Sequence, residues 1–135
     1  TTAKYISRTV ELSENLDAED FTLLTTAYRP SGTDIKVFIK PQSVDDASVF
    51  DTNTWMELEL TEGINLYSSI SNINDFKEFA YKVKDTDKTA LGILTYTNAI
   101  ATFEGYRRFA IKIELHSESI FKAPRLLDYR GISLT

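Results

Sequence analysis

Phe109-Ala110-Ile111-Lys112-Ile113-Glu114-Leu115-His116 is the stretch whose reading decides the fold class. Large apolar side chains stand at 109, 111, 113 and 115, with small, charged or polar ones between them. That is a period of two. It describes a β-strand with one face in a core and one in water, whereas a helix would space its apolar residues three and four apart.

The same alternation recurs on either side. Ile35, Val37 and Ile39 alternate with Lys36, Phe38 and Lys40; Met56, Leu58 and Leu60 with Trp55, Glu57 and Glu59; Phe79, Tyr81 and Val83 with Ala80, Lys82 and Lys84. Ile6 to Leu12 repeats it with Arg8 out of register, and residues 19–29 read as a strand with apolar side chains on both faces. Leu126 to Leu134 predicts a final strand with Leu126, Arg130, Ile132 and Leu134 in one register and Asp128 on that same face. Between the strands lie turn signals, above all Arg29-Pro30-Ser31-Gly32-Thr33-Asp34, which predicts a tight connection of adjacent antiparallel strands. Ser43 to Phe50 is the one helix candidate, with Ser43 as cap and Asp45 and Asp46 in the first turn. The expectation is an all-β, antiparallel β-sandwich, jelly-roll-like, with one short helical excursion near 43–50.

At 135 residues the chain is one domain's length, and it should bury an ordinary core that includes Leu58, Phe79, Tyr81, Ile111, Ile113 and Leu115. Position 1 is Thr and the one methionine is Met56, so residues 1–135 are expected to be a C-terminal piece of a longer protein. The composition, 42% hydrophobic and 26% charged, is that of a globular chain. Absence of cysteine excludes disulfide scaffolds, thiolate metal sites and cysteine nucleophiles. A net charge of −5 argues against a nucleic-acid partner. No window approaches the roughly 18 consecutive apolar residues of a membrane-spanning helix.

The chemistry-bearing residues are sparse. His116, the single histidine, sits at a strand end and reads as a surface residue without a catalytic partner set. Asp17/Glu19/Asp20, Asp45/Asp46 with Asp51, and Asp85/Asp87 are acidic clusters, none with the spacing of a calcium loop; the Asp45 region comes nearest. Five scattered glycines form no phosphate-binding loop. No catalytic residue, cofactor site or metal site is expected. Trp55, Tyr67, Tyr96 and Tyr106 are the candidate contacts for a glycan or a neighbouring subunit, and large rings are equally the filler of a sandwich core. The strand lysines, Lys36, Lys40 and Lys112 among them, are expected to face solvent and guard sheet edges.

Two stretches carry a resemblance. Tyr28-Arg29-Pro30-Ser31-Gly32-Thr33-Asp34-Ile35-Lys36-Val37-Phe38-Ile39-Lys40 precedes an acidic segment ending in Phe50 and then Trp55. Phe103-Glu104-Gly105-Tyr106-Arg107-Arg108-Phe109 runs into the deciding strand and is followed by Pro124 to Leu134. The ordered set resembles the C-terminal β domain of large virion structural proteins of T-even-like phages of marine cyanobacteria. The resemblance implies a non-catalytic domain of a tail, baseplate or fibre protein, located in the virion and partnered by other virion subunits or copies of itself. The competing expectations are a carbohydrate-binding jelly-roll module for host-surface glycans and, behind it, a hydrolase.

Overall fold

The computed structural model of the chain describes residues 2–13, 17–118 and 122–135. Eleven strands form among the described residues: β1 (Thr2–Ile6), β2 (Val10–Glu11), β3 (Asp20–Tyr28), β4 (Thr33–Gln42), β5 (Met56–Glu57), β6 (Glu59–Glu62), β7 (Lys77–Lys82), β8 (Thr95–Thr97), β9 (Thr102–Glu104), β10 (Arg108–Ser117) and β11 (Arg125–Leu134). One sheet has the order β1-β10-β4-β5, with β2 also on β10; the other has the order β11-β3-β7-β6; β8 and β9 make a separate hairpin. Every pair of these strands is antiparallel, so the fold is an all-β antiparallel sandwich. Among the described residues no helix is long and apolar enough to cross a membrane.

The alternating stretches do what their period dictates. Ile35, Val37 and Ile39 of β4 register against Leu115, Ile113 and Ile111 of β10, so each pair points into the same core. Phe21, Leu23 and Ala27 of β3 and Phe79 and Tyr81 of β7 close it from the other sheet. Leu115 packs at the margin of this cluster, half-buried. Tyr81 also links the layers, its hydroxyl donating to the Ile35 carbonyl at 2.9 Å. A buried phenol needs such a partner, because an unpaired hydroxyl in a core is costly.

Several local expectations give way to longer-range interactions. The 6–12 run is two strands, because Ser7 breaks the ladder: its N–H donates to Ile111 O and its Oγ accepts from Ile111 N–H, each at 2.8 Å. The 55–60 run changes sheets at Leu58, so Met56 pairs with β4 while Leu60 pairs with β7. The 30–34 turn joins strands of different sheets rather than neighbours; it closes with Thr33 N–H on Pro30 O at 3.1 Å and Gly32 at φ +86°. Residues 43–49 form no helix, and the helical excursion is shorter and later than expected. The chain turns there with Asp46 N–H on Ser43 O at 3.1 Å, and a single 3₁₀ turn comes next at Phe50–Thr52.

β11 departs furthest from its sequence period. A β-bulge between Leu126 and Asp128 inserts one residue and reverses the phase of the rest of the strand. Leu126, Tyr129, Gly131 and Ser133 lie opposite Ala27, Thr25, Leu23 and Phe21 and point inward. Asp128, Arg130, Ile132 and Leu134 therefore face outward, and Arg130 is exposed and out of register with Leu126.

Candidate interaction surface

The four aromatic residues expected to share a contact surface go to different places. Tyr106 is wholly buried; its hydroxyl donates to Asp20 O at 2.8 Å and lies 3.0 Å from Ser133 Oγ, and burial pushes its pKa well up. It has no face to offer a ligand. Tyr96 points into the 42–53 loop, accepting from Ser43 N–H at 2.7 Å and donating to Asp46 at 2.8 Å. Trp55 lies on the outer side of the β10-β4 sheet beneath two ammonium groups, Lys40 Nζ at 4.6 Å and Lys112 Nζ at 5.3 Å from its ring centroid. Lys112 also stands 4.3 Å over Phe38, and Lys40 is itself buried. These two lysines are thus held by cation–π attraction against the sheet, not spread into solvent as edge guards. Tyr67 alone keeps a substantial exposed surface.

Asp46 is the centre of the acidic region. Its Oδ1 accepts from Ser48 N–H and Oγ at 2.9 and 2.6 Å, and its Oδ2 from Asn53, Tyr96 and Asn98 at 3.1, 2.8 and 3.0 Å. Burial pushes the carboxyl pKa up, but the bonds from Ser48, Tyr96 and Asn53 outweigh it and bring the value down to about 2. Five donors on one carboxylate engage its lone pairs in holding the loop, which makes this a structural hub. Among the described residues no group of three or more His, Asp or Glu is arranged to hold a metal ion. His116 Nε2 lies 3.0 Å from Glu114 Oε1 on β10, and Glu114 also takes Lys112 at 3.3 Å. Burial raises the Glu114 pKa, but those two partners outweigh it and leave the carboxyl below its ordinary range.

The surface that stands out is the connection between β6 and β7, residues 63–76. Ile64, Leu66, Tyr67, Ile70 and Ile73 are all exposed there, from 39% at Leu66 to 60% at Ile70. Scattered exposed apolar residues are ordinary; five within ten positions of one loop are not. The loop is also pinned. Ser68 and Arg29 exchange two bonds, Ser68 N–H to Arg29 O at 2.7 Å and Arg29 N–H to Ser68 Oγ at 2.9 Å. Tyr28 Oη donates to Ser69 O at 3.0 Å, Asp75 accepts from Ser69 N–H at 2.7 Å, and Arg125 donates to Ile73 O at 3.1 Å.

Arg29 is the peg of this arrangement. Only 7% of its side chain is exposed. Its guanidinium carbon lies 4.6 Å from the Tyr67 ring centroid and 5.3 Å from that of Phe79, and Nη1 donates to Gly63 O at 3.1 Å. A planar cation stacked on aromatic faces holds better there than a flexible ammonium would. Sequence periodicity could not find this site, since a loop has no period. The available signal was apolar side chains interspersed among Ser and Asn between two strands. Against known proteins, the chain matches no family model, no curated protein and no solved structure.

Proposed function

We propose that this chain is a non-catalytic interaction domain of a virion structural protein of the tail, baseplate or fibre kind, which contacts neighbouring subunits through the 63–76 loop. One observation carries the reading: five exposed apolar side chains on a loop whose backbone is already fastened at Arg29, Tyr28 and Arg125. A loop ordered in advance loses little conformational entropy when it docks, so its apolar area converts into affinity more fully than that of a floppy segment. The glycan reading has less support, since Tyr106 is buried, Tyr96 is bonded to Asp46 and Trp55 lies under Lys40 and Lys112. Tyr67 by itself is one stacking face rather than a platform.

The test is incorporation. Particles are assembled with the parent protein carrying Ile64→Ser, Ile70→Ser and Ile73→Ser, and the isolated variant domain is checked for an unchanged melting temperature. Loss of the parent protein from purified particles, with the domain still folded, is the expected result. Incorporation at the unmodified level would overturn the proposal.

A further inference from the structure

A β-sandwich has edges, and the two sides of this one are built differently. On one side the chain itself passes from β5 to β6, closing the gap between sheets at Leu58, and Glu57, Glu59 and Glu62 are all exposed there. A second copy approaching that side would bring like charge against like charge, the usual protection of a sheet margin. On the other side β11 is an outermost strand of ten residues whose outer margin pairs with no described strand. It carries exposed Leu127, Ile132 and Leu134, and beside it Tyr5 of β1 bonds Tyr129 hydroxyl to hydroxyl at 3.0 Å.

The charges on β11 are arranged differently from those on β5 and β6. Asp128 and Arg130 flank Tyr129, and both point to the outer face opposite Thr26 and Leu24 of β3. Neither takes part in an ion pair within the described residues. In an antiparallel pair, a two-fold axis at residue i places i−1 of one strand opposite i+1 of the other. An axis at Tyr129 thus sets Asp128 against Arg130 twice, once on each side, with the carboxylate and guanidinium at cross-strand distance.

We propose that β11 pairs antiparallel with β11 of a second copy of this chain about a two-fold axis at Tyr129, extending the β11-β3-β7-β6 sheet across both molecules. The pairing gives partners to outward N–H and C=O groups of the strand around Tyr129, on the C-terminal side of the bulge between Leu126 and Asp128. Its specificity lies in the reciprocal Asp128–Arg130 contacts. This inference does not rest on the 63–76 loop, which meets β11 at Arg125.

Sedimentation equilibrium of the 135-residue chain up to about 100 μM, the range of a weak interface, decides it. The expected mass rises with concentration from 15.3 kDa toward twice that value. Asp128→Arg, or its mirror Arg130→Asp, faces like charges across the axis and should weaken association at least ~10-fold. The double exchange, Asp128→Arg with Arg130→Asp, should restore it, because the reciprocal pairs reappear with their signs reversed. Circular dichroism and melting confirm that each variant is folded, as expected for two exposed positions. A chain that stays at 15.3 kDa throughout would overturn the proposal. So would single exchanges that leave the dimer unaffected, or a double exchange that fails to recover it.

Discussion

The hydroxyl of Tyr96 donates a 2.8 Å hydrogen bond to Oδ2 of Asp46, fifty residues earlier in the chain. With Asn98 on the same oxygen at 3.0 Å, it fastens the β8–β9 hairpin region to the loop between β4 and β5. Neither segment belongs to the two large sheets, so this carboxylate supplies part of the ordering that ladder hydrogen bonds supply elsewhere.

Acid should release that loop. The Asp46 pKa falls from 3.8 to about 2 on folding, so its contribution is fully present above 3.8 and is lost as pH drops toward 2. A shift of this size corresponds to on the order of 2 kcal/mol. Urea unfolding at a series of acid pH values should show a steeper loss for the native chain than for Asp46→Asn. The variant should start lower even at neutral pH, because its amide N–H₂ meets other donors. Parallel acid profiles would show that Asp46 is not the group responsible.

Tyr81→Phe removes the hydroxyl that reaches from β7 to the Ile35 carbonyl of β4 and leaves that carbonyl unpaired in the core. The expected loss is about 1–1.5 kcal/mol, or roughly 5 °C in melting temperature. Calorimetry checks it, and an unchanged melting temperature would mean the inter-sheet bond contributes nothing net.

Gly63→Ala should loosen the 63–76 loop. Gly63 has φ +87°, and a Cβ there would stand 2.6 Å from Cδ1 of Phe79, one of the rings against Arg29. Left-handed strain and overpacking together should cost about 2–3 kcal/mol. Amide exchange reads the effect locally. The Leu66 and Ser68 N–H groups, bonded to Gly63 O and Arg29 O, should lose protection before the β10 amides do.

Ile113→Asp should abolish the soluble fold, since Ile113 is fully buried opposite Val37 and an unpaired carboxylate cannot be accommodated there. Ile113→Val, which removes one methylene, should cost only about 1 kcal/mol and keep cooperative melting. Cooperative unfolding of the aspartate variant would contradict the face assignment of β10.

Arg130→Met should leave the melting temperature of the dilute monomer within about 2 °C, as for other exposed substitutions away from buried networks. Its effect belongs to association, where one half of each reciprocal pair would be lost. A large drop in monomer stability would instead make the arginine a structural anchor.

The alternating stretches were legible in the sequence because strand period is a local property. Side chains at i and i+2 share a face whatever the strand pairs with, so Ile35-Val37-Ile39 and Ile111-Ile113 announced both their strands and their core. Absence of cysteine likewise excludes disulfides and thiolate chemistry with no need of coordinates. Tertiary structure decided the rest. The bulge at Leu126/Asp128 turned Arg130, Ile132 and Leu134 outward, since which face a strand buries depends on its ladder with β3. The helical excursion expected near 43–50 shrank to one 3₁₀ turn at Phe50–Thr52, with residues 43–49 gathered around a carboxylate bonded by Tyr96 and Asn98, and Tyr106 left the candidate surface for the core. The physical division is one of range. Backbone period and composition act between near neighbours, whereas registers, bulges and buried hydrogen bonds join residues that only the folded chain brings together.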